Sequence, residues 1–280
     1  MTLVRLDEAV DAERFGGKAA QLATLLRAGL PVPAGVALSV ELVEALMAGD
    51  PAATAEVERG NSLLRAPLAV RSSAVGEDSD DASFAGQHLT CLNVRRAGEA
   101  VAAVQEVWRS AHSPSALAYR ARIGIDDLPR VAVVLQELVD ADRAGVLFTR
   151  NPLDGADEVV VEAAWGLGEG VVEGIVTPDR FRVRRDGTVL ERVAGVKDLA
   201  VVRAPEGGTQ QAAIEGDHAR TLCLTDSELA ELAQLGQRCE HVFGDARDIE
   251  WAYADGALHL LQCRAITRAT RRGSPVARIL

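Results

Sequence analysis

Leu22, Leu25 and Leu26 recur at the spacing of one helical face, which predicts a helix from Lys18 to Ala28 that Gly29 ends. Val40 to Met47 reads as a second helix, closing at Gly49-Asp-Pro51. Between them, Leu30-Pro-Val-Pro-Ala-Gly35 is a turn-rich entry into Val36-Ala-Leu38. Apolar runs predict strands at Leu68–Arg71, Leu89–Val94, Val131–Val139, Ala144–Thr149 and Glu158–Glu162. A polar loop, Ser72 to Gln87, separates the first two. Glu99–Trp108 and Ser115–Ile123 carry helical patterns, and Gly166-Leu-Gly-Glu-Gly170 reads as a glycine loop. A hairpin turns at Asp186-Gly187. The longest helix, Thr225 to Phe243, opens on the capping-box sequence Thr225-Asp-Ser-Glu228. A last hairpin runs from Asp248 to Thr267. Strands and helices mix without a βαβα rhythm, which predicts an α+β fold rather than a doubly wound sheet.

That last hairpin carries the sharpest pattern. Ile249, Trp251 and Tyr253 share one face, and Leu261 and Cys263 are apolar on the return strand. The other faces carry Asp248, Glu250, Gln262 and Arg264. Both apolar sets enter one core only if residues of equal parity face each other, and a two-residue turn would break that pattern. The expectation is therefore a three-residue loop, Ala254-Asp-Gly256, with Gly256 in a bulge. Glu250, Gln262, Arg264 and Asp248 then project together. A carboxylate and an amide oxygen beside an arginine suit Mg²⁺ carrying phosphates, although a solvent-facing polar side fits this one hairpin equally.

Composition narrows the function classes. The 280 residues carry 30 Lys and Arg against 41 Asp and Glu, a net charge of −11. No basic block is present, so nucleic acid is not an expected partner. At 48% hydrophobic and 25% charged residues the chain has globular composition, and its length allows two lobes. The apolar runs are too short to span a membrane, and Met1 to Asp7 has no signal-peptide core, so a cytoplasmic location is expected. Cys91, Cys223, Cys239 and Cys263 show no metal spacing and are expected to be reduced and mostly buried.

Only Lys18 and Lys197 among the basic residues are lysines. Lys18 opens its helix, where a cation opposes the macrodipole unless it and the helix N-terminus share an anion; solvation is the alternative. Neither a Walker A loop nor a dinucleotide fingerprint is present: Ala12 and Ala19 break the first and Val171 the second. Arg71 enters Ser72-Ser-Ala-Val-Gly-Glu-Asp78, a loop able to offer N–H groups and hydroxyls to phosphate, or a plain surface turn.

Together these motifs resemble the start of phosphoenolpyruvate synthase and pyruvate phosphate dikinase. The stretches are Gly16-Gly-Lys-Ala-Ala-Gln-Leu22 with Gly29–Gly35, Val70-Arg-Ser-Ser-Ala74 with Glu77-Asp78 and Ala82–Gln87, Val134–Val139, Trp165–Glu169 through Val176–Asp179, and Asp248–Trp251 with Leu261–Thr267. They follow the family's order from about residue 14 to 267. The nucleotide module of rifampin phosphotransferase is similar too. The resemblance implies an ATP-grasp-type two-lobed fold holding ATP between the lobes, with lobes at 1–130 and 131–267 and a basic tail at 268–280. It implies that Lys18, Arg71 and Arg264 hold the triphosphate, with Asp248 close to the metal. It places Gly86 and Thr90 on a loop over the phosphates and Gln136, Glu137 and Val139 along the adenine. Glu250 and Gln262 would ligate Mg²⁺, and Lys197 would have a phosphate or structural role.

The family phosphorylates a histidine on a swivelling domain in a Thr-Ser-His type motif. None of His88, His112, His218, His241 and His259 lies in such a motif. The segment from Ser39 to Leu68 is shorter than the family's, and Cys263 and Ala265 stand at positions that vary. The expected activity is that of an ATP-dependent, dikinase-type phosphotransferase acting in trans on a separate phosphohistidine-domain protein, with AMP and phosphate released. A stand-alone small-molecule kinase or ligase and a non-catalytic nucleotide-binding module are the alternatives.

Overall fold

The computed structural model describes residues 2–76, 89–122, 124–125 and 127–266. Gly86, the part of the expected Ser72–Gln87 loop from Glu77 on, and the tail at 268–280 therefore lie outside the described residues. Two compact units emerge. The first comprises residues 1–29, 33–138 and 204–209, and the second 30–32, 139–203 and 210–280. The α+β class expected from the sequence is observed. Among the described residues no helix is long and apolar enough to cross a membrane.

Unit 1 begins with β1 (Leu3–Arg5), α1 (Ala12–Arg27) and β2 (Gly35–Leu38). It continues through α2 (Val40–Met47), α3 (Pro51–Ser62), β3 (Leu68–Ala74) and β4 (Thr90–Val94). It closes with α4 (Ala97–Ala111), α5 (Pro114–Arg122) and β5 (Val131–Glu137). The strands form one sheet in the order β1-β2-β5-β3-β4. Leu68, Val70, Val131, Val133 and Leu135 turn one face of it onto Leu42, Leu46, Val57, Val104 and Val107 of α2, α3 and α4. The alternate residues Arg71, Ser73, Val134 and Gln136 share the opposite face, as the β3–β5 register requires.

Unit 1 departs from the pattern reading at several points: Ser72–Ala74, expected to open the polar loop, continue β3 as buried strand, and β1 was not predicted. The predicted helix at Lys18 starts six residues earlier, at Ala12, but Gly16 is non-helical (φ 78°, ψ 167°) and splits α1. Lys18 thus stands in the first turn of the segment that follows Gly16. The helix α3 was not predicted, although Asp50 caps it by accepting the Ala52 N–H at 2.8 Å and Pro51 opens it.

Unit 2 holds β6 (Arg143–Phe148), β7 (Val159–Trp165), α6 (Glu169–Val172), β8 (Asp179–Val183) and β9 (Val189–Val193). Then come β10 (Leu199–Arg203), β11 (Thr209–Ala213), α7 (Asp226–Phe243), β12 (Arg247–Ala254) and β13 (Ala257–Ala265). Six strands make the main sheet, in the order β13-β12-β6-β7-β8-β9. The pair β10-β11 stands apart and was not predicted. The capping box forms as expected: Thr225 Oγ1 accepts the Glu228 N–H, and Glu228 Oε2 accepts the Thr225 N–H at 2.8 Å. Gly244 ends α7 in the left-handed conformation.

The last hairpin corrects its expected loop. Ala254 pairs with Ala257, so the turn is the two-residue Asp255-Gly256, with φ of 50° and 76°. Two positive φ values suit the tight turn that matches strand twist. The extra residue sits further along: Glu250 pairs with Gln262 but Trp251 pairs with Leu260, leaving Leu261 as a bulge. Leu258 and Leu260, not Leu261, meet the core on that part of β13. Beyond the bulge Cys263 faces inward opposite Ile249. The equal-parity facing of Glu250 with Gln262 and of Asp248 with Arg264 is retained.

Candidate functional site

Two constellations arise, one in each unit. In unit 1 they start from β3, whose seven residues are all buried. Arg71 is only 7% exposed and is flanked in register by Thr90 of β4 and Val134 of β5. Its Nη1 donates to Gln136 Oε1 at 3.5 Å, and Gln136 Nε2 donates to the Pro33 carbonyl at 3.2 Å. Gln136 therefore restrains the guanidinium. Lys18 is 5% exposed, in the turn that packs on Ser73 of the same strand face.

The neighbouring Glu137 turns its carboxylate to Arg65, at 2.8 Å. That guanidinium holds the Glu137 carboxyl below its ordinary range. Its backbone N–H donates to Ala34 O at 2.9 Å. Val139, half-buried, belongs to unit 2.

In unit 2 the sheet register sets the second constellation. Gln262, Glu250, Val146, Glu162 and Arg180 form one row across five strands, because directly paired residues share a face. Arg264 and Asp248 open the next row. Arg264 Nη2 lies 2.8 Å from Asp248 Oδ2, and its Nε donates to the same oxygen at 2.9 Å. Burial pushes the Asp248 carboxyl up, Arg264 pulls it down, and Glu250 nearby pushes it up again. Glu162 is 7% exposed; burial raises its carboxyl above the ordinary range, against the pull of Arg180 and with a push from Asp248.

Glu162 and Arg180 were not singled out from the sequence. The available signal was a carboxylate inside the apolar run Val159–Trp165, a residue type rarely buried without a reason.

Glu250 and Gln262 are adjacent across β12 and β13 and offer oxygen donors only. Among the described residues no group of three or more His, Cys, Asp or Glu could hold a metal by itself. A carboxylate with one amide oxygen fits Mg²⁺, which is commonly held by one or two protein groups and completed by waters and phosphates.

Lys197 is placed elsewhere. It is fully buried and ion-paired with Asp179, also fully buried. The Asp179 carboxylate also accepts the Gly195 and Cys223 N–H groups, both at 2.8 Å. Asp179 pairs with Ala163, next to Glu162 on β7, so it points to the opposite face of the sheet from the Glu250–Glu162 row. A structural role is what this geometry supports.

A family model, "Pyruvate phosphate dikinase, AMP/ATP-binding domain", matches residues 51–278. The chain belongs to this family. Over 203 residues it is 42% identical to a probable phosphoenolpyruvate synthase of Methanocaldococcus jannaschii, covering 71% of this chain and 17% of that protein. It is 34% identical over 310 aligned positions to rifampicin phosphotransferase of Streptomyces sviceus, covering 95% of this chain and 36% of that protein. The chain thus spans less than half the length of these curated relatives. The family match begins after Lys18. An ATP-grasp-type fold follows from this membership. A looser likeness in chain path, to the D-alanine-D-alanine ligase of Coxiella burnetii (TM-score 0.42, 15% identity, 95% of this chain and 51% of that one), supports no residue correspondence.

Proposed function

We propose that the chain binds Mg·ATP and acts as the phosphotransferase module of a dikinase-type reaction, passing phosphoryl to a histidine on a separate protein with release of AMP and phosphate. The observation that carries this reading is the convergence on one sheet face of a metal-type donor pair, Glu250 and Gln262, with a cation, Arg264, held by Asp248. Lys18 and Arg71 are the proposed phosphate ligands of unit 1, two cations that a shared strand face brings to one side of the sheet. Thr90, beside Arg71 in register, is a proposed phosphate contact as well. The adenine contacts are assigned to Gln136, Glu137 and Val139. With the Glu137 carboxylate bound to Arg65 and the Gln136 amide on Arg71 and Pro33, backbone groups are the expected adenine partners there.

Mg²⁺, held by Glu250 and Gln262, would neutralise charge on the transferring phosphates. Phosphoryl transfer leaves little covalent work to side chains, so the chain's contribution is positioning and electrostatic stabilisation by Lys18, Arg71 and Arg264. Arg264 suits that task because Asp248 fixes its orientation, and a planar guanidinium can meet two phosphate oxygens at once.

The test is product analysis with ATP and candidate histidine-domain proteins. Labelling of a partner with AMP formation supports the reading. ADP formed with a small acceptor and no partner would instead favour a direct small-molecule kinase, and tight ATP binding unaffected by Glu250→Ala would favour a non-catalytic module.

A further inference from the structure

In an unbroken helix the Phe15 carbonyl would accept the Ala19 N–H, four residues on. The break at Gly16 opens that rung of α1. A hydroxyl from the sheet fills it: Ser73 Oγ donates to Phe15 O at 2.7 Å and accepts from Ala19 N at 3.0 Å. Ser73 is fully buried. Insertion of a side chain into the helical ladder is an established cause of a kink, and here one hydroxyl satisfies two of the backbone groups that the break leaves without helical partners.

The approach is close. A Cβ on Gly16 would lie 2.0 Å from the Ser73 carbonyl oxygen, and Gly16 also has a left-handed φ. Both conditions demand glycine. Lys18 lies within the bridged segment, one residue before Ala19. Arg71 lies two residues before Ser73 on the same strand face. Ser73 thus ties the turn that carries Lys18 to the strand that carries Arg71 by hydrogen bonds.

We propose that Ser73 is a positioning residue for nucleotide phosphates: its bridge fixes where Lys18 stands relative to Arg71. Without the hydroxyl, the flexible Gly16 can close the rung directly, Phe15 O to Ala19 N, which swings the Lys18 turn away from β3. The spacing of the two cations then no longer matches a triphosphate. This inference rests on the assignment of Lys18 and Arg71 as phosphate ligands.

The experiment measures Mg·ATP affinity by calorimetry on the full chain for Lys18→Ala, Ser73→Ala and the double variant, with a thermal melt of each. Ser73→Ala is expected to weaken binding about tenfold, which is about 1.4 kcal/mol. In the Lys18→Ala background the same change is expected to cost less than about twofold, since the group it positions is gone. A purely structural serine would move the melt but not produce that dependence on Lys18.

Binding within about twofold of the parent for Ser73→Ala, alongside weakened Lys18→Ala, would overturn the inference and leave the nucleotide assignment standing. So would a Ser73→Ala loss that persists in full without Lys18. Unchanged binding in Lys18→Ala itself would overturn the assignment and the inference with it. Should Ser73→Ala not fold, Ser73→Cys, nearly isosteric with a weaker donor, is read by the same comparison.

Discussion

Lys197→Met is the perturbation that best separates a structural lysine from a ligand. The side chain has no exposure, and its ammonium neutralises Asp179, which has none either. Methionine keeps most of the volume and removes the charge. Asp179 would retain the Gly195 and Cys223 N–H donors but lose its counter-charge. Breaking a buried pair from one side costs about 3–5 kcal/mol, because an uncompensated charge stays inside. Against a typical stability of about 5–15 kcal/mol, that is a loss of about a fifth at the least and of most of the stability at the other extreme. Urea denaturation followed by circular dichroism reads it as a fall in midpoint at constant slope. Lys197→Met with Asp179→Asn should recover part of the loss, because no unpaired ion remains. Where Lys197→Met stays folded, its Mg·ATP affinity should equal the parent's. A loss below about 1 kcal/mol, or an ATP affinity weakened tenfold in a folded variant, would refute the structural assignment.

Glu250→Ala is expected to abolish the Mg²⁺ dependence of ATP binding, read by titrating Mg²⁺ at fixed ATP, while leaving the melting temperature within a few degrees. Glu158 accepts from Arg182 and from Asn151, and hydrogen bonding to Arg182 depresses its carboxyl below the ordinary range, against the opposing effect of burial. A depressed carboxyl contributes stability above its unfolded value, near pH 4.3, and loses it as pH falls through the folded value. Glu158→Gln should therefore destabilise by about 1 kcal/mol at pH 7, discounted for a part-exposed Arg182, with the difference shrinking in melts as pH falls below about 4.3 and gone only once pH has passed the depressed folded value. Deleting Leu261 should be tolerated: it removes the bulge while keeping Glu250 opposite Gln262, so ATP affinity should fall less than about threefold by calorimetry.

Elements with strong periodicity or an explicit cap were legible in the sequence. The helix α7 announced itself through Thr225 and Glu228, and the β8–β9 hairpin through Asp186-Gly187. The helix α3 was equally signalled by Asp50-Pro51, but its apolar residues are sparse; Ala53, Val57 and Gly60 bury a narrow stripe that periodicity alone does not display. The strand β11 was missed because Thr209-Gln-Gln-Ala-Ala213 has no apolar alternation, being largely exposed, whereas β10, Leu199-Ala-Val-Val-Arg203, is an apolar run that local sequence did signal. Glu162 escaped for a different reason. Its significance depends on two intervening strand pairings that place it on the row of Glu250, and pairing order is not written in local sequence.

The last hairpin shows what parity reasoning can and cannot deliver. The requirement that Ile249, Trp251 and Tyr253 be buried together with an apolar set from β13 dictates facing, since a slip of one residue turns every side chain over. It does not dictate where the compensating residue goes. An odd loop at the turn and a bulge anywhere between the turn and Gln262 satisfy the same parity for Glu250. They differ in which leucine is buried. With the extra residue in the turn, Leu261 would be core; with the bulge at Leu261, Leu258 and Leu260 are core and Leu261 is not. The two-residue Asp255-Gly256 turn prevails because its positive φ pair matches strand twist without further distortion. The bulge falls instead on the edge strand, where an interrupted ladder costs least. It also falls beside Gln262, where the ladder resumes with Glu250 as its partner.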